Sequence, residues 1–387
     1  MDCIPYGRQE ITEADIKAVV EVLRSPFITQ GPLVDSFEKA VSKKVGAKHG
    51  VAFNSATSAL HIACLALGLG KESLLWTSPI TFVASANCGR YCGAEVDFVD
   101  IDPDTGLMSV IALEKKLEVA ARIGKLPSVV VPVHLTGASC DMEKVHALAS
   151  EFRFAVIEDA SHAIGGFYKG HSVGSCNYSN ITVFSFHPVK IITAGEGGLA
   201  TTNDSKLACR MADLRSHGII KDQSKFERMS AGSWAYEQHE LGFNYRLSDI
   251  HAALGFSQLQ RLESIVEERN RLFNFYHDQL SGLPLQLLNI PSDVYSALHL
   301  AVIRLDNSEP SHHRRIFDGL RAAGIGVQVH YTPVHLQPYY RKLGFAEGDF
   351  FEAEAYATNS ISLPIYVGLT EMDQRKVVTS LKDLLTP

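Results

Sequence analysis

The sequence contains no apolar run of about 18 residues, the length that a membrane-spanning helix requires. Its first residues, Met1 to Pro5, also lack the basic region and apolar stretch of a secretory signal. These two absences argue against a membrane protein or a secreted one. We therefore expect a cytoplasmic protein without a membrane partner.

Positive charge and paired cysteines are scarce as well. The net charge is −7, and basic clusters do not exceed short pieces such as Lys43–Lys44. Because nucleic-acid binders carry basic patches, no nucleic-acid partner is expected. The seven cysteines have no CxxC spacing, and Cys88 and Cys92 are the closest pair. We interpret them as free thiols in a reducing compartment, with neither disulfides nor a metal site.

Strand and helix signals alternate through the first two hundred of the 387 residues. Three continuous apolar runs, at 128–133, 154–157 and 181–186, are typical of strands buried on both faces. This pattern predicts an α/β domain with a mostly parallel central sheet. In such sheets, functional residues lie just beyond the carboxyl ends of the strands.

The pattern changes after Gly198. Residues 221–240 are polar and irregular, which predicts a mobile loop, and residues 248–274 predict one long amphipathic helix or a bent pair. Further strand signals lie at 298–305 and 325–331, and helix signals at 312–323 and 370–385. We predict a large domain over residues 1–250 and a smaller α/β C-terminal domain over 251–387. Packing of residues 1–12 on the small domain is left open.

Lys190 stands in an apolar bend between two predicted strands. The stretch from Ile181 to Thr202 begins as a β-branched and aromatic strand, which Pro188 interrupts. A lysine buried in such a bend is costly to charge, so its pKa should fall. The neutral amine would be a nucleophile for carbonyls, as a Schiff-base lysine must be. The alternative is a lysine that reaches solvent from a loop tip.

The segment Ser55 to Ser58 follows a short strand and opens an apolar helix. Its hydroxyl groups, together with the free N–H groups and dipole at a helix start, predict an anion site. A simple N-cap by Ser55 or Thr57 is the alternative.

Asp159 and Phe82 complete a set suited to pyridoxal phosphate. This coenzyme needs an amine, a carboxylate for its ring nitrogen, an anion cup and an apolar face for its ring. Asp159 ends a buried strand and can supply the carboxylate. Phe82, predicted early in a helix that begins at Ile80, can stack on the ring. The alternatives are a helix N-cap for Asp159 and ordinary core packing for Phe82.

Five motifs carry a family resemblance: 54–58 (NSATS), 158–163 (EDASHA), 185–190 (SFHPVK), 195–198 (GEGG) and 242–249 (GFNYRLSD). With these motifs the whole chain resembles the sugar aminotransferases of the DegT/DnrJ/EryC1/StrS family. The resemblance implies the pyridoxal-phosphate-dependent transferase fold of type I, which is that of aspartate aminotransferase. It also implies a nucleotide-sugar substrate, L-glutamate as amino donor and a homodimer with shared active sites.

The resemblance assigns roles to individual residues. Lys190 is the catalytic, coenzyme-holding lysine, Asp159 pairs with the ring nitrogen, Phe82 stacks on the ring and His162 lies near the ring hydroxyl. Four residues are implied at the phosphate: Ala56, Thr57, Ser185 and, from the neighbouring subunit, Asn244. Six more are implied at the sugar substrate: Tyr6, Gln30, Gly31, Arg246, His330 and Tyr331. Tyr6 and Tyr331 are alternatively plain core or interface aromatics.

Three further segments, residues 4–9, 76–88 and 90–98, resemble one group within the family. Its members aminate C4 of a UDP-linked 4-keto-6-deoxy-N-acetyl sugar in pseudaminic acid biosynthesis. One alternative is another nucleotide-linked keto sugar, leading to a product of the perosamine or 4-amino-arabinose type. A sugar dehydratase of the same family is a second, although such enzymes have His where Lys190 stands. A non-catalytic regulator built on the same fold is a third.

Overall fold

The computed structural model describes residues 3–229, 232–306 and 309–385. The helices are α1 Glu13–Leu23, α2 Pro32–Val45, α3 Ala56–Ala66, α4 Ala84–Tyr91, α5 Val110–Ile123, α6 Met142–Phe152, α7 Ser205–Arg215, α8 Asp249–Leu259, α9 Leu262–Leu280, α10 Pro310–Ala322, α11 Pro338–Arg341, α12 Phe351–Asn359 and α13 Glu371–Leu385. The strands are β1 His49–Phe53, β2 Leu74–Thr77, β3 Glu95–Phe98, β4 Val129–Val131, β5 Ala155–Asp159, β6 Phe167–Tyr168, β7 His171–Ser172, β8 Ile181–Ser185, β9 Gly198–Thr202, β10 Ile219–Ile220, β11 Glu237–Gln238, β12 Leu285–Leu287, β13 Val294–Tyr295, β14 Ala301–Leu305 and β15 Ser360–Leu363.

Seven strands form the central sheet in the order β1-β9-β8-β5-β4-β2-β3. Strand β9 is antiparallel to both its neighbours, and all the other pairs are parallel. The mostly parallel sheet predicted from the apolar runs is therefore confirmed. Every residue of β4 and β8 is buried, as expected for strands covered on both faces. The adjacent strands β5 and β8 end at Asp159 and Ser185, which places both side chains at one edge of the sheet.

Local signals set the starts of the first three helices. Thr12 forms a capping box with Asp15 at the start of α1, and Pro32 is the first residue of α2. Ser55 caps α3 by accepting a hydrogen bond from the Ser58 N–H. The N-cap interpretation of Ser55 is therefore confirmed, and it leaves the helix start available to a second group.

Two boundaries differ from the sequence prediction. The helix expected from Ile80 begins at Ala84, so Phe82 lies in the loop before α4. The strand expected at 325–331 is wrong within the described residues. Its residues form only isolated bridges to two different segments: Ile325 bridges Ile4, and Gln328 bridges Ser362. The bent pair expected over residues 248–274 is confirmed as α8 and α9.

The C-terminal part contains a separate antiparallel sheet in the order β12-β14-β15. The N-terminal segment pairs with the C-terminal part of the chain, because Ile4 donates a hydrogen bond to the Gly324 carbonyl and accepts one from the Gly326 N–H. The domain boundary near residue 250 stays a prediction.

The segment 221–240 was predicted to be a mobile loop. Its described residues include a short turn at Gln223–Lys225 and strand β11, which pairs with β10. Residues 230 and 231 of this segment lie outside the described residues. In the described ranges, no helix has the length and apolar character needed to cross a bilayer.

Candidate active site

A cavity of about 320 Å³ opens at the carboxyl edge of the central sheet. This volume is within the range of small-molecule sites. Its walls come from strand ends, from the starts of α3 and α4, and from the N- and C-terminal parts of the chain. Ten of the residues predicted from the sequence lie together in its lining: Tyr6, Ala56, Thr57, Phe82, Asp159, His162, Ser185, Lys190, His330 and Tyr331.

Four predicted residues do not line this cavity. Asn244 is exposed and its backbone bridges Ser216, while Arg246 is half-buried in the same segment. Gln30 is exposed, and the Gly31 N–H donates to the Asp249 carboxylate at 2.8 Å. All four belong to the surface where the turn before α2 meets the turn before α8.

Lys190 lies in the cavity wall, in the bend after β8, and not at a loop tip. Burial lowers the pKa of its amine to about 8, although the nearby Asp159 carboxylate favours the charged form. At pH 7 roughly a tenth of the amine is therefore neutral, which is the form that a nucleophilic lysine requires.

Asp159 is buried and its two carboxylate oxygens accept hydrogen bonds from different elements. Ser85 Oγ donates to Oδ2 at 2.6 Å, and the Ser161 hydroxyl and N–H donate to Oδ1 at 2.6 and 3.1 Å. Residues 161–165 form turns, so the helix N-cap interpretation of Asp159 is wrong. Among the described residues Asp159 forms no ion pair within 4 Å, which leaves its charge available to a cationic group in the cavity.

The start of α3 and the end of β8 form another part of the wall. Ala56 and Thr57 are the first two residues of α3, whose first-turn N–H groups have no partner inside the helix. Ser185 ends β8 beside them in the lining. Gly198 of β9 allows this arrangement, because a Cβ there would meet the Ala56 nitrogen at 2.4 Å and the Ser55 carbonyl carbon at 2.5 Å.

Gly198→Ala is expected to displace the start of α3 and to weaken pyridoxal phosphate binding by about tenfold or more, since the clash is with backbone. Overpacking of this kind also costs about 1–3 kcal/mol of stability. Equilibrium dialysis and denaturant unfolding measure the two effects. The control is Gly70→Ala, where a Cβ meets nothing within 4 Å. Equal coenzyme affinity in both variants would contradict the assignment of this wall.

Phe82 is 58% exposed, so the core-packing interpretation of this residue is wrong. Its ring faces the cavity from the loop before α4, with its centroid 6.4 Å from that of Tyr331. An aromatic ring that is exposed to a cavity in this way can cover a planar ligand.

Two histidines at the site are held neutral. Burial, followed by the charge of Lys190, lowers the pKa of His162 well below its ordinary value and that of His330 to about 4. The Nδ1 atom of His162 is buried, and no described residue forms a hydrogen bond with it. Its Nε2 atom lies 3.4 Å from the Tyr331 hydroxyl. The unpartnered nitrogen is available to a polar group of a ligand.

The sequence interpretation missed four residues at this site. Ser85 and Ser161 bind the Asp159 carboxylate, and Thr81 lies 2.7 Å from the Ser85 hydroxyl. The His299 ring lies against that of His162, with a centroid distance of 4.3 Å and an angle of 48° between the ring planes. The spacing of Thr81 and Ser85, four residues apart, could have indicated the contact between their hydroxyl groups. Nothing in the sequence indicates His299.

The residues present fit pyridoxal phosphate. Lys190 would hold its aldehyde carbon, Asp159 its ring nitrogen and His162 its ring hydroxyl. Phe82 would cover the ring, and the start of α3 with Ser185 would hold the phosphate, an anion that helix N-termini favour. The unpartnered His162 nitrogen and the clearance left by Gly198 are two features that this fit explains.

This fold and site define a class, the pyridoxal-phosphate-dependent transferases of fold type I. Within that class, the model of the DegT/DnrJ/EryC1/StrS aminotransferase family matches residues 9–382. The chain belongs to this family, and it is a sugar aminotransferase.

One curated relative and two solved structures illustrate the similarity. The chain is 37% identical to the UDP-4-amino-4,6-dideoxy-N-acetyl-β-L-altrosamine transaminase of Campylobacter jejuni, over 99% of this chain and 97% of the relative. It is similar to Helicobacter pylori PseC, an aminotransferase of pseudaminic acid biosynthesis, with 31% identity, 99% of both chains covered and a TM-score of 0.90. It is also similar to Streptococcus pneumoniae Spr1654 in its PMP form, with 30% identity, 99% of both chains covered and a TM-score of 0.91. Spr1654 has been solved in a PLP form too. The cofactor of this chain is pyridoxal phosphate.

Proposed function

We propose that this chain transfers the amino group of L-glutamate to C4 of a UDP-linked 4-keto-6-deoxy-N-acetyl-hexose, UDP-2-acetamido-2,6-dideoxy-β-L-arabino-hexos-4-ulose, in pseudaminic acid biosynthesis. The observation that carries the proposal is the 37% identity, over nearly the whole of both chains, to a transaminase named for the amino sugar that this reaction forms. The similarity to PseC supports the same pathway. Seven free cysteines support a reducing, cytoplasmic location.

The sugar is assigned to the outer part of the cavity. Tyr6 from the N-terminal segment and His330 and Tyr331 from the C-terminal part line the cavity and would contact the sugar. The Tyr6 and His330 rings lie 5.4 Å apart, and His330 Nδ1 bonds the Ser362 hydroxyl at 2.8 Å. A neutral imidazole between aromatic rings suits the ring face and hydroxyl groups of a hexose.

When bound, pyridoxal phosphate supplies a carbonyl for the amino group and a ring that withdraws electrons from the reacting carbon. The chain supplies the rest. Lys190 Nζ holds the coenzyme and then, once free, removes the proton from the α-carbon of glutamate. In the second half-reaction Lys190 returns a proton to C4 of the sugar. Asp159 holds the ring nitrogen in its protonated form, and Phe82 keeps water from one face of the ring.

The four predicted residues outside the cavity are assigned to the site of a partner protomer. Asn244 is exposed at the junction with the turn that carries Gln30 and Gly31, and Arg246 follows in the same segment. In a homodimer with twofold symmetry, such a surface can complete the neighbouring cavity. Asn244 would then reach the coenzyme phosphate across the interface.

Mixing two impaired variants tests this arrangement. Lys190→Ala and Asn244→Ala are each expected to lose activity as purified homodimers. After subunit exchange, each mixed dimer should regain one site, built from the Lys190 of one protomer and the Asn244 of the other. Sedimentation analysis measures the mass of the assembly and so distinguishes a dimer from a monomer. A monomer at assay concentration, or no regain of activity in mixed dimers, would overturn the shared site.

Product stereochemistry tests the substrate assignment. Purified enzyme is incubated with L-glutamate and the UDP-linked 4-keto sugar, and the configuration at C4 is read by NMR. Axial amination supports the proposal. Equatorial amination, or a preference for keto sugars linked to other nucleotides, would exclude this substrate and leave the family assignment intact.

A further inference from the structure

The Asp159 carboxylate is held by hydroxyl groups from two separate elements. On one side the Ser161 hydroxyl and N–H bind Oδ1 from the turn after β5. On the other side Ser85, fully buried in the first turn of α4, lies 2.6 Å from Oδ2. Ser85 is 74 residues from Asp159 in the sequence, so this contact exists only because α4 packs against the end of β5.

The direction of these hydrogen bonds follows from the chemistry of the groups. An ionised carboxylate only accepts, so the single hydroxyl hydrogen of Ser85 points to Asp159. Ser85 Oγ must then accept from Thr81 Oγ1, which lies 2.7 Å away and is also buried. The result is a directed chain from Thr81 through Ser85 to Asp159. Each hydrogen bond in such a chain polarises the next, which strengthens the one that ends on the charge.

We propose that Ser85 is a positioning residue that, supported by Thr81, aims the Asp159 carboxylate at the coenzyme ring nitrogen. The inference rests on the assignment of Asp159 in the proposed function. If the Ser85 hydrogen bond is removed, the Asp159 carboxylate would no longer be held toward the ring nitrogen, and its contact with a protonated ring would weaken. The ring then withdraws fewer electrons from the reacting carbon.

Other titratable groups face the same space. The following groups line the cavity with Asp159: Tyr6, His162, His187, Lys190, Glu196, His330 and Tyr331. His162 and His330 are held neutral by burial, which also raises the pKa of Tyr331. Because these groups share one cavity, the effect of the Ser85 hydroxyl is read as the difference in the coenzyme absorbance titration between matched variants.

The test compares Ser85→Ala with Ser85→Thr, which keeps the hydroxyl. For Ser85→Ala, kcat should fall about tenfold to a hundredfold, the range for one hydrogen bond to a charged group, with the KM for glutamate within about twofold. The pH titration of the coenzyme absorbance should move to higher pH by about one unit or more. Ser85→Thr should restore both, and Thr81→Val should shift both in the same direction by less.

Ser78→Ala is the matched control. Ser78 is buried in the loop that precedes α4, but its hydroxyl accepts from the Ile80 N–H and does not line the cavity. Its absorbance titration should match that of the unmodified enzyme. Thr81→Val keeps the side-chain shape, so it tests the chain of hydrogen bonds even if Ser85→Ala does not fold.

Three results would overturn the proposal or its basis. An unchanged titration in Ser85→Ala, or an equal shift in Ser85→Thr, would overturn the role of the hydroxyl. An unchanged titration in Asp159→Asn would instead remove the assignment of Asp159 itself. A shift in Asp159→Asn without one in Ser85→Ala would leave the proposed function standing and end only the inference about Ser85.

Discussion

Lys190→Ala is expected to abolish the visible absorbance of the bound coenzyme and to reduce transamination by at least about a thousandfold. The variant loses both the amine that holds the coenzyme and the base that moves the proton. Because Lys190 lies in the cavity wall and not in the core of the sheet, the fold should remain intact. Absorbance spectra and steady-state assays of the purified protein measure both effects.

Lys206→Ala is the matched control for this variant. Lys206 is an exposed residue of α7, and its replacement should leave both spectrum and rate unchanged. A Lys190→Ala enzyme that still forms the absorbance band would show that another amine holds the coenzyme.

The pH dependence of coenzyme capture gives an independent check on Lys190. Its pKa is lowered to about 8 by burial, so the reactive neutral amine should accumulate as the pH rises through 8 and then level off. An ordinary lysine would continue to gain reactivity up to about pH 10.4. Stopped-flow mixing of the coenzyme-free protein with pyridoxal phosphate measures the rate, and a free lysine derivative run in parallel corrects for the coenzyme's own titration. A plateau above pH 10 would contradict the buried environment of Lys190.

Asp159→Asn should lower kcat by roughly a hundredfold or more, the effect of leaving a buried charged group without its partner. The amide keeps the shape of the carboxylate and can still accept from one hydroxyl. It cannot neutralise a protonated ring nitrogen, so the ring loses its proton and its power to withdraw electrons. Coenzyme affinity should fall as well, because the contact to the ring nitrogen is lost.

The exposed Asp278→Asn in α9 serves as the control and should behave as the unmodified enzyme. Steady-state kinetics and equilibrium dialysis against pyridoxal phosphate make the measurement. Full activity in Asp159→Asn would exclude the carboxylate from the reaction.

Much of the central sheet could be predicted from the sequence. Strands that are buried on both faces must be apolar throughout, so they appear as short apolar runs. The run at 181–186 appears as β8, and the polar residues after each run lie at one edge, as parallel strands require. Strand order and the reversed direction of β9 were not predicted, since they depend on which strands pair across long separations.

The strand predictions failed where one segment pairs with more than one other segment. Residues 325–331 have a strand-like sequence, but their backbone pairs first with Ile4 and then with Ser362 before the chain turns into the cavity. Strand β15, Ser360–Leu363, was missed because its alternation of Ser with Ile and Leu suggests one polar face, whereas all four residues are buried.

The candidate site was predicted in its main groups and missed in its supporting contacts. Lys190, Asp159 and the start of α3 could be identified because each follows a buried strand. The hydroxyl of Ser85 reaches Asp159 only through the packing of α4, and no local pattern encodes that distance. The four residues outside the cavity came from the family resemblance alone.

The most direct test of the proposed transamination is to follow the amino nitrogen of L-glutamate. The enzyme is incubated with ¹⁵N-labelled L-glutamate and the UDP-linked 4-keto sugar, and the sugar product is examined by NMR and mass spectrometry. We predict one ¹⁵N atom bonded to C4 of the UDP-sugar, formed together with one equivalent of 2-oxoglutarate, and no such product with Lys190→Ala. A product without ¹⁵N at C4, or labelled product from Lys190→Ala, would contradict it.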